Sequence, residues 1–163
     1  MTTQEIAAVI AAFSALFSAI SAGINFYNTK AFLRQLASTT TDACLATSGA
    51  LKAAVHKTVE LKANKVDNIT PQEIRDAYSD AWTKWVAFYQ AFRIAQRYRP
   101  EFGKPKFDAP DQASGLLTEL RDSLRDPAWI PGGPKDPRDI RAKMDELVDE
   151  IERRSGLGPA LTI

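Results

Sequence analysis

Hydrophobic positions near the amino end of this 163-residue chain recur at helical spacing. Ile6, Ile10, Phe13, Phe17, Ile20, Ile24 and Tyr27 advance by alternating steps of four and three, the spacing of a heptad seam. A second row, Ala7, Ala11, Ala15, Ala19 and Gly23, repeats every four residues and forms a ridge of small side chains. From Ile6 to Thr29 no residue carries a formal charge, and a helix over that run is about 36 Å long, enough to cross a hydrocarbon core of roughly 30 Å. A solvated helix face normally carries charge. The expectation is therefore a transmembrane anchor over residues 1–29, with the small ridge available to a partner helix in lipid.

The remainder, residues 30–163, reads as helical throughout. Residues 30–66 offer Leu33, Leu36, Cys44, Leu51, Val55, Val59 and Leu61 as apolar points, with a break expected near Ser38-Thr39-Thr40-Thr41, where Thr41 or Asp42 would cap a new helix. Thr70-Pro71-Gln72-Glu73 is a helix start: threonine caps, proline suits the first turn, and Glu73 completes a capping box. That helix should run to about Tyr98, because Pro100 disfavours helical geometry at Arg99. Its seam of Ile74, Tyr78, Ala81, Trp85, Phe88, Phe92 and Ala95 predicts an antiparallel hairpin over 30–99. Beyond it, prolines punctuate residues 100–163, leaving two shorter amphipathic helices, one with Leu116, Leu117, Leu120 and Leu124 along one side. The other is capped at Asp136, carries Ile140, Met144, Leu147 and Ile151, and ends near Gly156. The predicted fold class is all-α: an N-terminal transmembrane helix, a helical hairpin and two shorter helices.

Charge changes the picture only locally. Lysine and arginine number 21 against 20 acids, which favours neither nucleic acid nor acidic partners. Residues 30–66, however, carry six bases against Asp42 and Glu60, while residues 100–163 carry ten bases against thirteen acids. Lys30 and Arg34 follow the apolar run and no base precedes it, so a spanning helix would leave the C-terminal domain in the cytoplasm. Phe26 and Tyr27, with Lys30 and Arg34, would then mark the membrane interface. The same lack of a preceding base argues against a cleaved leader, despite the small residues at Ala19-Ile20-Ser21.

Candidate chemistry is sparse. One cysteine, Cys44, excludes an internal disulfide, and with a single histidine, His56, leaves too few soft ligands for structural zinc. His56 and Glu60 are one turn apart but lack a nucleophile; Asp76 and Asp80 share a face without completing a coordination shell. Gly132-Gly133 lacks the following lysine and hydroxyl of a phosphate loop. Trp82, Tyr89, Arg93, Arg97 and Trp129 are candidates for a partner surface, since aromatics interleaved with arginine can stack on ligands, although a helical hairpin also needs aromatics in its core. The chain is expected to lack a catalytic site, metal and cofactor, and to act by association as an accessory subunit or scaffold of a membrane complex. Its partners would be membrane lipid and itself or another membrane protein, with nucleic acid disfavoured. A membrane-perturbing oligomer lined by Ser14, Ser18, Ser21, Asn25 and Asn28, and a soluble helical-bundle adaptor, are the alternative readings.

Overall fold

A computed structural model describes residues 3–64, 70–103, 107–126 and 136–156, with side chains from residue 14 onward apart from Asn64, Pro100, Gly103 and Pro137. Among these residues the fold is all-helical: α1 spans Thr3–Asn64, α2 Pro71–Tyr98, α3 Ala109–Arg125 and α4 Pro137–Ser155, with a 3-10 turn at Pro100–Gly103. No strand occurs among the described residues.

Local chemistry sets three of the starts. The Thr70 hydroxyl accepts from the Glu73 amide while the Glu73 carboxylate accepts from the Thr70 amide, so two N-terminal donors of α2 are satisfied reciprocally. Asp108 caps α3 by accepting from the Asp111 amide, and Asp136 caps α4 by accepting from the Arg138 amide. A proline stands in the first turn of each of these helices, where its missing donor costs nothing. Gly156 ends α4 with φ of 73°, a left-handed geometry that glycine adopts without a Cβ penalty.

Helix α1 runs unbroken through Ser38-Thr39-Thr40-Thr41, where a new start was expected. The hydroxyls of Thr29 and Thr47 show how this helix accommodates threonine: each donates to the carbonyl four residues earlier, at 2.8 Å, and so needs no non-helical partner. Thr41 is itself buried.

Two compact units divide the chain, residues 1–38 and 39–163. In the second, Cys44, Leu51, Val55 and Val59 of α1 join one core with Ala81, Phe88, Phe92 and Ala95 of α2, with the four leucines of α3, and with Ile140, Met144, Leu147 and Ile151 of α4. Phe92 is central, its ring 5.8 Å from Phe88, 5.4 Å from Phe102 and 6.1 Å from Phe107. Near the α1–α2 connection the Thr58 hydroxyl lies 3.5 Å from the Ala77 carbonyl.

The expectation of a single-pass membrane protein with a cytoplasmic C-terminal domain is corrected here. Among the described residues no helix is long and apolar enough to cross a membrane. From Ser14, where the described side chains begin, to Lys30, the apolar residues are interrupted by Ser14, Ser18, Ser21, Asn25, Asn28 and Thr29. Counting uncharged residues set the expectation, but serine and asparagine carry no charge and still resist transfer into hydrocarbon. The interfacial roles assigned to Phe26, Tyr27, Lys30 and Arg34 rested on that span.

Candidate functional site

The unusual surface of this molecule lies on α1 in the first unit. At about 100° per residue, Leu16, Phe17, Ile20, Ile24 and Tyr27 fall within an arc of roughly 100°, the width by which an amphipathic helix ordinarily meets a core. These five side chains are 50–73 % exposed. Ser14, Ser18, Ser21, Asn25, Asn28 and Thr29 group on another side of the helix, uncharged and exposed. The two sets lie on different sides of α1 over residues 14–29, but the separation does not extend along the helix: Phe26, Phe32 and Leu33 are also exposed and lie outside the arc.

Of the small-residue ridge, Ala15, Ala19 and Gly23 are exposed, and a Cβ built on Gly23 would meet nothing within 4 Å. Ala7 and Ala11 lie outside the described side chains. The ridge borders the apolar face without carrying appreciable apolar area of its own. Seven-residue steps connect the exposed and buried parts of α1: Ile20, Tyr27, Arg34, Thr41, Ser48, Val55 and Lys62 form one such row, exposed as far as Arg34 and buried from Thr41 onward.

A second surface runs along α2. Tyr78, Trp82, Trp85 and Tyr89 form a continuous ladder, with successive ring centroids 6.4, 4.7 and 5.6 Å apart. The Arg93 guanidinium sits over the Tyr89 ring at 5.2 Å and bonds Asp108 at 2.9 Å. That bond, with a lesser one to Tyr89, raises the Arg93 pKa above its already high ordinary value. Trp85 anchors the ladder by donating its indole N–H to the Pro110 carbonyl at 2.9 Å. Trp82 and Tyr89 remain more than a third exposed. The structure therefore brings Trp82, Tyr89 and Arg93 together; Arg97 is exposed further along the helix, and Trp129 lies outside the described residues.

The third grouping was not visible in the sequence. His56 was paired in expectation with Glu60, but its Nε2 is 2.7 Å from Oδ1 of Asp145, which also accepts from Lys52 Nζ at 3.1 Å. Glu60 instead meets Arg141 at 3.4 Å. Residues 52, 56 and 60 on α1 thus face 145 and 141 on α4. Burial alone would raise the Asp145 pKa; the hydrogen bond from Lys52, together with the charge and hydrogen bond of His56 and the charge of Lys52, outweighs it and holds the carboxyl below its usual range. Lys52 and His56 of α1 meeting Asp145 of α4 give the cluster the form of an interhelical clasp.

Burial pushes the Cys44 thiol up to about 12, which suppresses its nucleophilic form. A cavity of about 300 Å³ between α3 and α4 is lined by Glu119, Asp122, Asp136, Asp139 and Lys143. Asp136 there is already held by Arg138 at 2.6 Å, and Lys143 by Glu119 at 3.0 Å. Among the described residues no group of three histidine, cysteine or carboxylate side chains could hold a metal. No family model, curated protein or solved structure matches this chain.

Proposed function

We propose that the protein acts by association, as a helical adaptor whose apolar face on the N-terminal part of α1 docks on a helix of another chain. The observation that supports this reading is the exposure of Leu16, Phe17, Ile20, Ile24 and Tyr27 on one arc. Half-exposed aromatic and aliphatic side chains in one contiguous patch are costly in water, and covering them returns about 25 cal/mol for each Å² of apolar surface removed. Residues 39–163, read as a hairpin of α1 and α2 closed by α3 and α4, are then the domain that the pairing helix carries. Trp82, Tyr89 and Arg93 give that domain a second contact surface. The small ridge of Ala15, Ala19 and Gly23 lets a partner backbone come close beside the apolar face, but supplies little of the driving area.

Sedimentation of the full chain against a Phe17→Ser/Ile24→Ser variant tests the proposal. The parent should form a concentration-dependent complex and the variant should be monomeric, with an unchanged helical spectrum because neither residue belongs to the core. A parent that stays monomeric at about 100 µM, well above the micromolar dissociation constants of specific pairs, with no partner bound through this face, would overturn it.

A further inference from the structure

The outer edge of α2 carries an exposed row that stands apart from the α1 face, and from it we infer that α2 receives an acidic amphipathic helix of a partner protein. Arg75, Ser79, Trp82, Val86, Tyr89 and Arg93 advance by steps of four and three, a heptad seam one residue out of phase with the seam that builds the core. At about 100° per residue these six positions and Arg97 fall within an arc of roughly 80°. Trp82, Val86 and Tyr89 at its centre are 38–40 % exposed. The charges on this arc are all positive, with Arg75 at one end and Arg93 and Arg97 at the other. The acids of α2, Glu73, Asp76 and Asp80, stand at least about 60° beyond its edge. An apolar centre bracketed by guanidiniums matches a helix with apolar residues at i, i+4 and i+7 and carboxylates toward its ends. Arg93 is already engaged by Asp108. Arg75, whose guanidinium meets the neutral Gln72 at 2.7 Å, and Arg97, about 33 Å further along the axis, are the cations left to recognise those carboxylates.

The rings are set before any partner arrives. Trp85 is fixed to the Pro110 carbonyl, Trp82 stacks on Trp85 at 4.7 Å, and Tyr89 lies under the Arg93 guanidinium. Fixed side chains lose little conformational freedom on binding, and tryptophan, tyrosine and arginine are the types that carry most interface energy. A bilayer would also answer the positive charge, but an interfacial helix buries its apolar face several ångströms deep. Trp82, Val86 and Tyr89 already have more than half of their surface covered, and their arc is as narrow as the seam between two paired helices. A single helix laid along α2 fits that width.

The test titrates the full chain against a fluorescein-labelled, alanine-based helical peptide with leucines at the four-and-three spacing and glutamates toward both ends. Its counterpart carries lysine at every glutamate position. The acidic peptide should bind with a dissociation constant of about 10–100 µM and weaken several-fold as salt rises from about 50 to 500 mM, while the lysine peptide should not bind. Arg75→Glu/Arg97→Glu, at two exposed positions outside the core, should lose at least about tenfold for the acidic peptide, and Trp82→Ala a comparable factor. Phe17→Ser/Ile24→Ser should bind the peptide as the parent does, so this outcome is read separately from association through α1. Equal binding of the two peptides, no binding of the acidic one, or no loss in the arginine variant overturns the inference. Should the arginine variant lose its helical spectrum, the salt dependence and the lysine peptide decide. Displacement of the acidic peptide by phosphatidylserine vesicles would give the arc to a lipid surface. Self-association removed by Arg75→Glu/Arg97→Glu but kept in Phe17→Ser/Ile24→Ser would give it to a second copy. Either result overturns the assignment of an acidic partner helix.

Discussion

Asp145 is the residue on which two helices of the second unit are electrostatically joined, since one carboxylate oxygen receives both Lys52 and His56 across a sequence separation of about ninety residues. Its folded pKa lies below the ordinary carboxylate value, so the sign of its pH dependence follows. A group more acidic when folded contributes stability that is fully present above its unfolded pKa of about 3.9 and is lost as the pH falls through the lower, folded value. Asp145→Asn should therefore melt below the parent at neutral pH, and the gap should close in acid; melting curves from pH 7 to pH 2 measure it, and a gap constant across that range would contradict the clasp. The cluster was illegible in the sequence because spacing reveals only neighbours on the same helix. It pointed from His56 to Glu60, one turn away, whereas the true partner depends on how α4 returns. Cys44 was legible, because an isolated small apolar cysteine without a neighbouring cation suits packing. With its thiol pushed up to about 12 and buried, it should resist a disulfide-exchange reagent at pH 8 and react stoichiometrically once the chain is unfolded in guanidinium. Rapid labelling of the folded chain would mean that the core around it opens.

Helix α2 separates the aromatics that build the core from those that face outward, a distinction its periodicity only partly conveys. Phe92 is fully buried against Phe88, Phe102 and Phe107, while Trp82 lies at the exposed edge of a ladder whose inner rung, Trp85, is held by Pro110. Phe92→Ala should cost about 3–5 kcal/mol, through lost transfer energy and a residual cavity, whereas Trp82→Ala should cost about 0.5–1.5 kcal/mol for the stacking it forfeits. Chemical denaturation of both variants checks the contrast, and comparable losses would place Trp82 in the core. The beginning of α2 was readable because a capping box is chemistry among adjacent residues: Thr70 and Glu73 need nothing beyond their own turn. The same local reasoning misjudged α1 at Thr39-Thr40-Thr41, since threonine competes for backbone groups in isolation, yet inside a long helix its hydroxyl can return to a carbonyl one turn back. Whether such a residue breaks or continues a helix is decided by what the helix packs against, and that is tertiary information.

At the scale of the whole chain, the division after residue 38 separates a stretch that presents an apolar face from a domain that already owns its core. Among the described residues every member of the core cluster lies between Cys44 and Ile151, so removal of residues 1–38 takes away none of the described core side chains that hold α2, α3 and α4 together. The clasp of Lys52, His56 and Glu60 with Asp145 and Arg141 is retained as well. At about 125 residues the remainder is well above the size at which one core becomes marginal. The chain lacking residues 1–38 should therefore unfold cooperatively, with a melting temperature within a few degrees of the parent measured at the same low protein concentration. It should also remain monomeric at concentrations where the parent associates, because mass action stabilises only the species that retains the interface. Calorimetry and sedimentation on the two proteins read these outcomes separately. A truncated domain that melts far lower, without cooperativity, would show that the first unit completes the fold of the second and is not an arm for association. A truncated domain that folds but still associates would move the pairing surface to the domain, where the Trp82, Tyr89 and Arg93 edge of α2 is the surface to mutate next.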